Sequence, residues 1–262
     1  MRIKNLLEKY SDPLAKRWLQ KAWDQAEQAE RDNRQYTSFF LDPRQQQLYQ
    51  VVMNHFPGLN YLIYGGYAKA ERARISFWPA AWGTKEFPPL ISCLSIEGNF
   101  RFAEISHRDF LGAILSLGVR REMVGDIIYP AESTAQVLVD KQIAQYICTN
   151  LVRVHNVSVK VNEIPLETIV AVPEITKEIK GTVASLRLDA VASLGFGFSR
   201  SKIIPLIKGE QVKVNWQLIK NPASQLQEGD IISLRGKGRI EVVALEGESR
   251  KGRVRIRLKK YT

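Results

Sequence analysis

Cysteine and histidine are scarce in this chain of 262 residues, with two of the first and three of the second. Cys93 and Cys148 both lie in apolar runs, so they read as small core residues and not as a disulfide framework, which fits a reducing compartment. His55, His107 and His155 are separated by 52 and 48 residues, with no C-x-x-C anywhere, so no metal-ligand spacing is present. No run approaches the roughly 18 apolar residues of a membrane span. The N-terminal MRIKNLLEKY lacks the apolar region of a secretory signal and carries Glu8 within its first ten residues. The expectation from these absences is a cytoplasmic protein without metal, cofactor or membrane partner.

Catalytic signatures are missing as well. There is no Walker A, G-x-G-x-x-G or G-x-S-x-G pattern, and Gly195-Phe196-Gly197 fails the second because position 200 is arginine. His107-Arg108-Asp109-Phe110 looks like a kinase catalytic loop, but the asparagine that loop needs five residues after its aspartate is Ile114 here, and no D-F-G follows. His107 reads instead as lying near a helix N-terminus, with Asp109 in the first turn where its charge suits the dipole.

Positive charge is what the chain has in excess, and it is unevenly spread. Residues 181–262 hold 16 Lys+Arg against 7 Asp+Glu, whereas residues 1–180 hold 22 against 20. Nearly all of the formal +11 therefore sits in the last third. Such concentration is the electrostatic footprint of a phosphate-bearing partner.

Periodicity divides the chain in three. Residues 1–60 read as a helical region. Asp12-Pro13 caps a helix from Leu14 to about Arg31, with Leu14, Trp18, Leu19, Ala22, Trp23 and Ala26 on one face. Asp42-Pro43 starts a second helix, carrying Leu48, Val51, Val52 and His55 and stopping before Pro57-Gly58. Tyr36, Phe39 and Phe40 are expected to dock the two helices. Residues 61–180 open with a strand at Leu62–Tyr64, a Gly65-Gly66 turn and an alternating stretch from Arg72 to Trp78. A strand at Ile91–Glu97, a helix at His107–Leu117 closed by Gly118, strands at Gly125–Tyr129 and Ala135–Val139, a helix at Lys141–Val154 and a strand at Val157–Val161 follow. That order is the β-α-β-β-α-β of a ferredoxin-like fold. Its RNA-recognition version needs stacking aromatics on central strands, and strand 125–129 offers Tyr129 alone. Glu163 to Gly181, with Pro165 and Pro173, is a linker or a strand with a turn.

In residues 181–262, Val183, Leu186, Ala190, Val191 and Leu194 form one helical face ending near Gly195. Ser199 is placed to cap a second helix with its side chain at the amides near Ser201 or Lys202, and Gly209 closes that helix. Val212–Asn215 alternates, Glu228-Gly229-Asp230 turns into Ile231–Leu234, and Gly236–Arg239 is a basic turn. Arg253, Arg255 and Arg257 alternate with Val254, Ile256 and Leu258, as in a half-buried strand. Their arginine face either extends a phosphate-binding surface or simply guards a solvated edge.

Two sets of residues carry a resemblance to a known family. Gly65-Gly66-Tyr67, Ala70-Glu71-Arg72, His107-Arg108-Asp109-Phe110-Leu111-Gly112, Leu117-Gly118-Val119-Arg120-Arg121-Glu122 and Gly125-Asp126-Ile127 resemble the middle domain of YlmH-type S4 proteins, which include the photosystem II S4 domain branch of cyanobacteria and plants. Tyr36–Pro43 extends the likeness toward the N-terminus. Arg187-Leu188-Asp189, Ser199-Arg200-Ser201, Ile207-Lys208-Gly209, Val212–Asn215 and Gly229-Asp230-Ile231 resemble an S4 domain, a helix pair laid on a small sheet. The resemblance implies an α+β protein with a helical N-terminal region, a ferredoxin-like (RRM-like) middle domain and a C-terminal S4 (αL-type) RNA-binding domain.

The family's function carries over as follows. An RNA surface is implied at Arg187, Ser199, Arg200, Ser201, Lys202, Lys208, Lys213, Asn215 and Lys220, with Lys237, Arg239, Arg253, Arg255 and Arg257 as its extension. The implied partner is structured RNA, rRNA or tRNA, on the large ribosomal subunit. Relatives of this type are implicated in rescue of stalled large subunits carrying peptidyl-tRNA, and the branch label implies gene expression for photosynthesis. Two positions depart from the S4 pattern. Trp216 stands where glycine is usual, implying a wider turn or an exposed contact. Pro205, six residues past the cap, implies a bend or a later helix start. The alternatives are an S4-targeted RNA-modifying enzyme, for which Asp109 and Asp126 are the acids to test, and an adaptor docking protein through the middle-domain sheet.

Overall fold

The computed structural model describes residues 2–100, 105–131, 133–169, 176–249 and 252–261. It forms two compact units, Met1–Val172 and Pro173–Thr262. The expected linker residue Pro173 lies outside the described residues.

In the first unit, α1 (Arg2–Glu8) precedes α2 (Pro13–Arg31), whose start is fixed as the sequence suggests: the Leu14 amide donates to Asp12 Oδ1 at 2.9 Å, and Pro13 takes N1. A short β1 (Tyr36–Thr37) follows, then α3 (Pro43–Met53), β2 (Leu59–Tyr64) and β3 (Arg74–Pro79). A full capping box starts α3, with Asp42 accepting from the Gln45 amide and Gln45 accepting from the Asp42 amide. The N-terminal region is therefore not purely helical. Its helices pack on a three-stranded sheet of order β1-β3-β2, and β2 runs across the boundary expected at residue 60. The core between them holds Leu19, Trp23, Tyr49, Val52, Ile75 and Phe77.

The three aromatics expected to dock the helices go separate ways. Tyr36 stacks on Phe77 with centroids 5.3 Å apart, because β1 pairs with β3. Phe40 packs against Ile91, Cys93, Ile128 and Leu138 of the following sheet. Phe39 stays half-buried under the side chains of Lys21 and Arg120.

That following sheet is built from β4 (Ile91–Gly98), α4 (His107–Ser116), β5 (Val124–Ala131), β6 (Thr134–Asp140), α5 (Lys141–Asn150), β7 (Arg153–Val154) and β8 (Val157–Ile164). The strand order β5-β6-β4-β8-β7, antiparallel throughout, is the ferredoxin-like arrangement. Leu94, Ile96, Val137 and Val139 meet Phe110, Ile114 and Ile147 of the helices on one face. Helix α5 ends four residues short of the expected Val154. Leu151 leaves helical geometry at ψ 91°, and His155 at φ 54° turns the chain so that Val154 pairs with Val157. Strand β5 is an edge, so Tyr129 is not on a central strand.

Glycines 65 and 66 serve the junction in two ways. Gly66 has φ 98°, and a Cβ there would meet Leu138 Cδ1 at 2.7 Å. A Cβ on Gly65 would meet the Arg72 carbonyl oxygen at 2.6 Å. Beside them, Arg74 and Asp140 form a buried ion pair at 2.9 Å, and Arg74 also donates to the carbonyls of Ser38 and Leu90. Those extra bonds satisfy the guanidinium, without which a buried pair of this kind costs more than it returns.

The second unit comprises β9 (Thr176–Val183), α6 (Leu188–Phe196), α7 (Arg200–Lys208), β10 (Val212–Val214), β11 (Gln217–Leu218), β12 (Ile231–Leu234), β13 (Gly238–Glu248) and β14 (Val254–Tyr261). The sheet order is β11-β10-β12-β13-β14-β9, with α6 and α7 packed over a core of Leu188, Val191, Ile203, Ile207, Ile232, Ile240 and Leu258. Strand β9 begins before the boundary expected at 180/181 and takes Val183 out of the helix to which the sequence assigned it. It pairs along the whole of β14, so the arginine-bearing strand is interior to the sheet and not an edge.

Helix α7 begins at Arg200 and runs through Pro205. Proline there has no N–H for the Ser201 carbonyl, a cost of roughly 3 kcal/mol. Ile203 and Ile207 are both fully buried, and burial of about 1.5–3 kcal/mol each offsets it. Among the described residues no helix is long and apolar enough to cross a membrane.

Candidate functional site

Asp189 organises the helix pair. It sits in the first turn of α6 with no exposed surface, and two arginines close over it. Arg187 Nε and Nη2 donate to its two carboxylate oxygens at 3.1 and 3.0 Å, and Arg200 Nη2 donates to Oδ2 at 2.6 Å. Burial pushes the Asp189 carboxyl up, but the bonds and charges of Arg187 and Arg200 outweigh it and hold the carboxyl below its usual range. The arginine side chains remain 39% and 51% exposed, so each is anchored at one edge and open at the other. Two guanidinium groups thirteen residues apart are thereby presented together with one net positive charge between them.

A second cluster lies at the end of α6. Lys202 Nζ and Lys237 Nζ stand 5.6 and 5.8 Å from the centroid of the half-buried Phe198 ring. This brings Lys237, from the basic turn between β12 and β13, to the start of α7. Phe198 has no place among the sequence expectations. Its signal, an aromatic in the Gly197–Ser199 connection with lysine at i+4, is weak without the β12–β13 turn beside it.

Other expected positions divide into open and committed groups. Lys208 and Lys213 are exposed, and among the described residues neither has an ion-pair partner. Arg255 is in the same state. Ser199 does not cap α7 with its side chain; its hydroxyl lies 2.8 Å from that of Ser201, and the capping role falls to its carbonyl, which accepts from Lys202 and Ile203. Asn215 is spent on the fold: its Nδ2 donates to Asp230 at 2.8 Å and its Oδ1 accepts from the Ile231 amide at 2.9 Å. Asn215 and Trp216 have φ of 48° and 63° between the paired Val214 and Gln217. The hairpin is thus a two-residue turn and not the wider one expected, with half-buried Trp216 in a left-handed position that favours glycine. Lys220 pairs with Glu210. Arg253 donates to the Thr182 side chain and carbonyl. Arg257 lies between Glu178 and Glu246, 3.1 Å from the latter without alignment for a hydrogen bond. Arg239 stacks over Tyr261 at 4.5 Å. The extension on β14 is therefore largely internal to the unit.

The two acids singled out in the middle domain are both engaged locally. Asp109 closes a capping box with Ser106, accepting from its amide and hydroxyl at 2.8 and 2.7 Å. Asp126 accepts from Tyr67 Oη and from the Glu71 and Arg72 amides at 2.9, 2.7 and 3.0 Å, with its carboxyl pushed up by burial. Arg121 beside it is held down to about 10 by burial, with the Arg72 charge nearby. These residues fasten the 65–73 loop to β5. The sheet face that RNA takes in RNA-recognition folds is closed here, since Phe40, Tyr64, Tyr67 and Leu166 cover Cys93 and Leu138. The expected docking of a protein partner on that sheet meets the same cover. Among the described residues no group of three or more His, Cys, Asp or Glu is placed to hold a metal ion.

An α6–α7 pair with a buried acidic clamp, laid on a small antiparallel sheet, defines an S4-domain protein, and the S4 family model matches residues 186–232. Two further models match, "YlmH, N-terminal" over residues 15–81 and "Putative RNA-binding domain in YlmH" over residues 85–168. The chain is 32% identical over 218 residues to "Ribosome-associated protein quality control protein P2" of Bacillus subtilis (strain 168), covering 83% of this chain and 84% of that one. The chain belongs to the YlmH family. A solved structure titled "Cell division protein ylmH from Streptococcus pneumoniae" shares the fold, with a TM-score of 0.52 and 22% identity, over 62% of this chain and 98% of that one.

Proposed function

We propose that this protein is a non-catalytic RNA-binding protein that recognises structured rRNA or tRNA on the large ribosomal subunit, through the helix pair of its S4 domain. The observation that carries the reading is the Asp189 clamp, which holds Arg187 and Arg200 in fixed orientation on a domain with excess positive charge, where Lys208 and Lys213 have no ion-pair partner among the described residues. Fixed guanidinium forks suit phosphate oxygens, and folded A-form RNA is read chiefly through phosphate, 2′-OH and shape. The S4 match and the relative's ribosome-associated name support the same assignment. The engagement of Asp109 and Asp126 in capping and loop fastening supports the absence of catalysis.

Sedimentation with purified ribosomal subunits tests this. The protein is expected to pellet with large subunits, and the K202A/K208A/K213A variant to remain in the supernatant at the same salt. Equal pelleting of wild type and variant contradicts the assigned face. A modified nucleoside formed in stoichiometric yield from rRNA or tRNA contradicts the non-catalytic reading.

A further inference from the structure

The first unit carries a basic, aromatic cleft built from none of the residues of the S4 helix pair. Leu14, Arg17, Trp18 and Lys21 of α2 and Glu122 line a cavity of about 330 Å³. Lys21 Nζ lies 4.8 Å from the centroid of Trp18 and 5.4 Å from that of Phe39, and the Arg120 guanidinium lies 4.7 Å from that of Phe39. Arg17 is exposed, and Leu14 is 58% exposed.

The charge state of this cleft is unusual in one respect. Among the described residues Lys21 meets ring faces and no carboxylate, so its positive charge is not neutralised by them. Glu122 on the lining is paired with Arg120 at 3.3 Å. Arg17 and Lys21 therefore leave the cleft net positive beside the half-buried Trp18 ring and an exposed leucine. An acidic peptide would use the cations and leave the ring and leucine wet. An apolar segment would bury two unpaired cations, at high cost. A nucleotide offers a flat π face and a phosphate together, and the cavity is of a size to take one.

We propose that this cleft binds one unpaired nucleotide of RNA, its base against Trp18 and its phosphate at Arg17 and Lys21. The site is separate from the S4 face, so either can fail alone. It also gives the first unit an RNA contact that does not use the covered sheet of the ferredoxin-like fold.

The test is photo-crosslinking of the full chain to a uridine hexamer carrying 4-thiouridine, with the attached peptide located by mass spectrometry. The expected crosslink lies between Leu14 and Phe39. R17E/K21E and W18L are each expected to reduce it roughly fivefold or more, leaving crosslinks within residues 176–261 unchanged. Thermal melting establishes that each variant is folded, and K21Q replaces the double reversal if that one melts early. Crosslinks confined to residues 176–261, or a cleft crosslink insensitive to both changes, would overturn the proposal. A glutamate hexamer at equal concentration should not compete; full displacement by it assigns the cleft to acidic peptides and overturns the proposal.

Discussion

Arg200 donates to the buried carboxylate of Asp189 across the turn between two helices, at 2.6 Å. This bond, with the pair from Arg187, makes an acidic residue the organiser of a basic surface. Asp189→Asn leaves two guanidiniums converging on a neutral amide. The exposed state of both arginines screens the pair, so the loss of stability is expected at about 1–3 kcal/mol, below that of a fully buried pair. RNA affinity should fall although the net charge rises by one. Urea unfolding and a binding isotherm on the same preparation check both. Tighter binding by the variant would mean that bulk charge outweighs orientation.

The same group sets an acid limit for the second unit. The folded carboxyl of Asp189 titrates below its ordinary 3.8. A lowered folded value means that its contribution is present above 3.8 and is lost as pH falls through 3.8 toward the folded value. Chemical unfolding of the second unit should therefore weaken over that window. The Asp189→Asn variant should lose this part of the pH dependence.

Asn215→Ala separates fold from binding. The change leaves Asp230 short of one donor and the Ile231 amide without its acceptor, and alanine must hold φ near 48°. Destabilisation of about 1–3 kcal/mol is expected by urea unfolding. RNA affinity measured where the variant remains folded should be near that of wild type, because Asn215 is already committed to its own hairpin.

Arg74→Ala strands Asp140 in the first unit. Both side chains are below 10% exposed, so the loss is expected near 3–5 kcal/mol. Arg74→Ala with Asp140→Ala should recover part of it, and double-mutant analysis of unfolding measures how much. A purely additive outcome would contradict a direct coupling between the two.

The ferredoxin-like order could be read from periodicity because each of its helices and strands carries its own apolar pattern. Capping at Asp12 and Asp42 was equally local. What escaped was pairing over long distances. Strand β9 has an exposed, charged sequence, and only β14 makes it a strand. The three-stranded sheet of the N-terminal region depends on β1 meeting β3 forty residues later. In the candidate site, residue type told which groups are cationic but not which are already occupied. Arg253, Arg257 and Lys220 differ from Lys208, Lys213 and Arg255 only in their spatial neighbours. Phe198 was hidden for the same reason, since its site gathers Lys202 and Lys237 from segments distant in sequence, and the cleft at Trp18 because Glu122 closes it from another part of the chain.

The central claim is that exposed lysines of the S4 domain meet RNA phosphates, and salt dependence tests it most directly. Affinity for a large-subunit rRNA fragment should be measured over a series of salt concentrations for wild type and K202A/K208A/K213A. The log–log slope is expected to fall in magnitude by about 2 to 3, as three phosphate contacts at about 0.7–0.9 each would give. An unchanged slope, with unchanged affinity, would contradict the account.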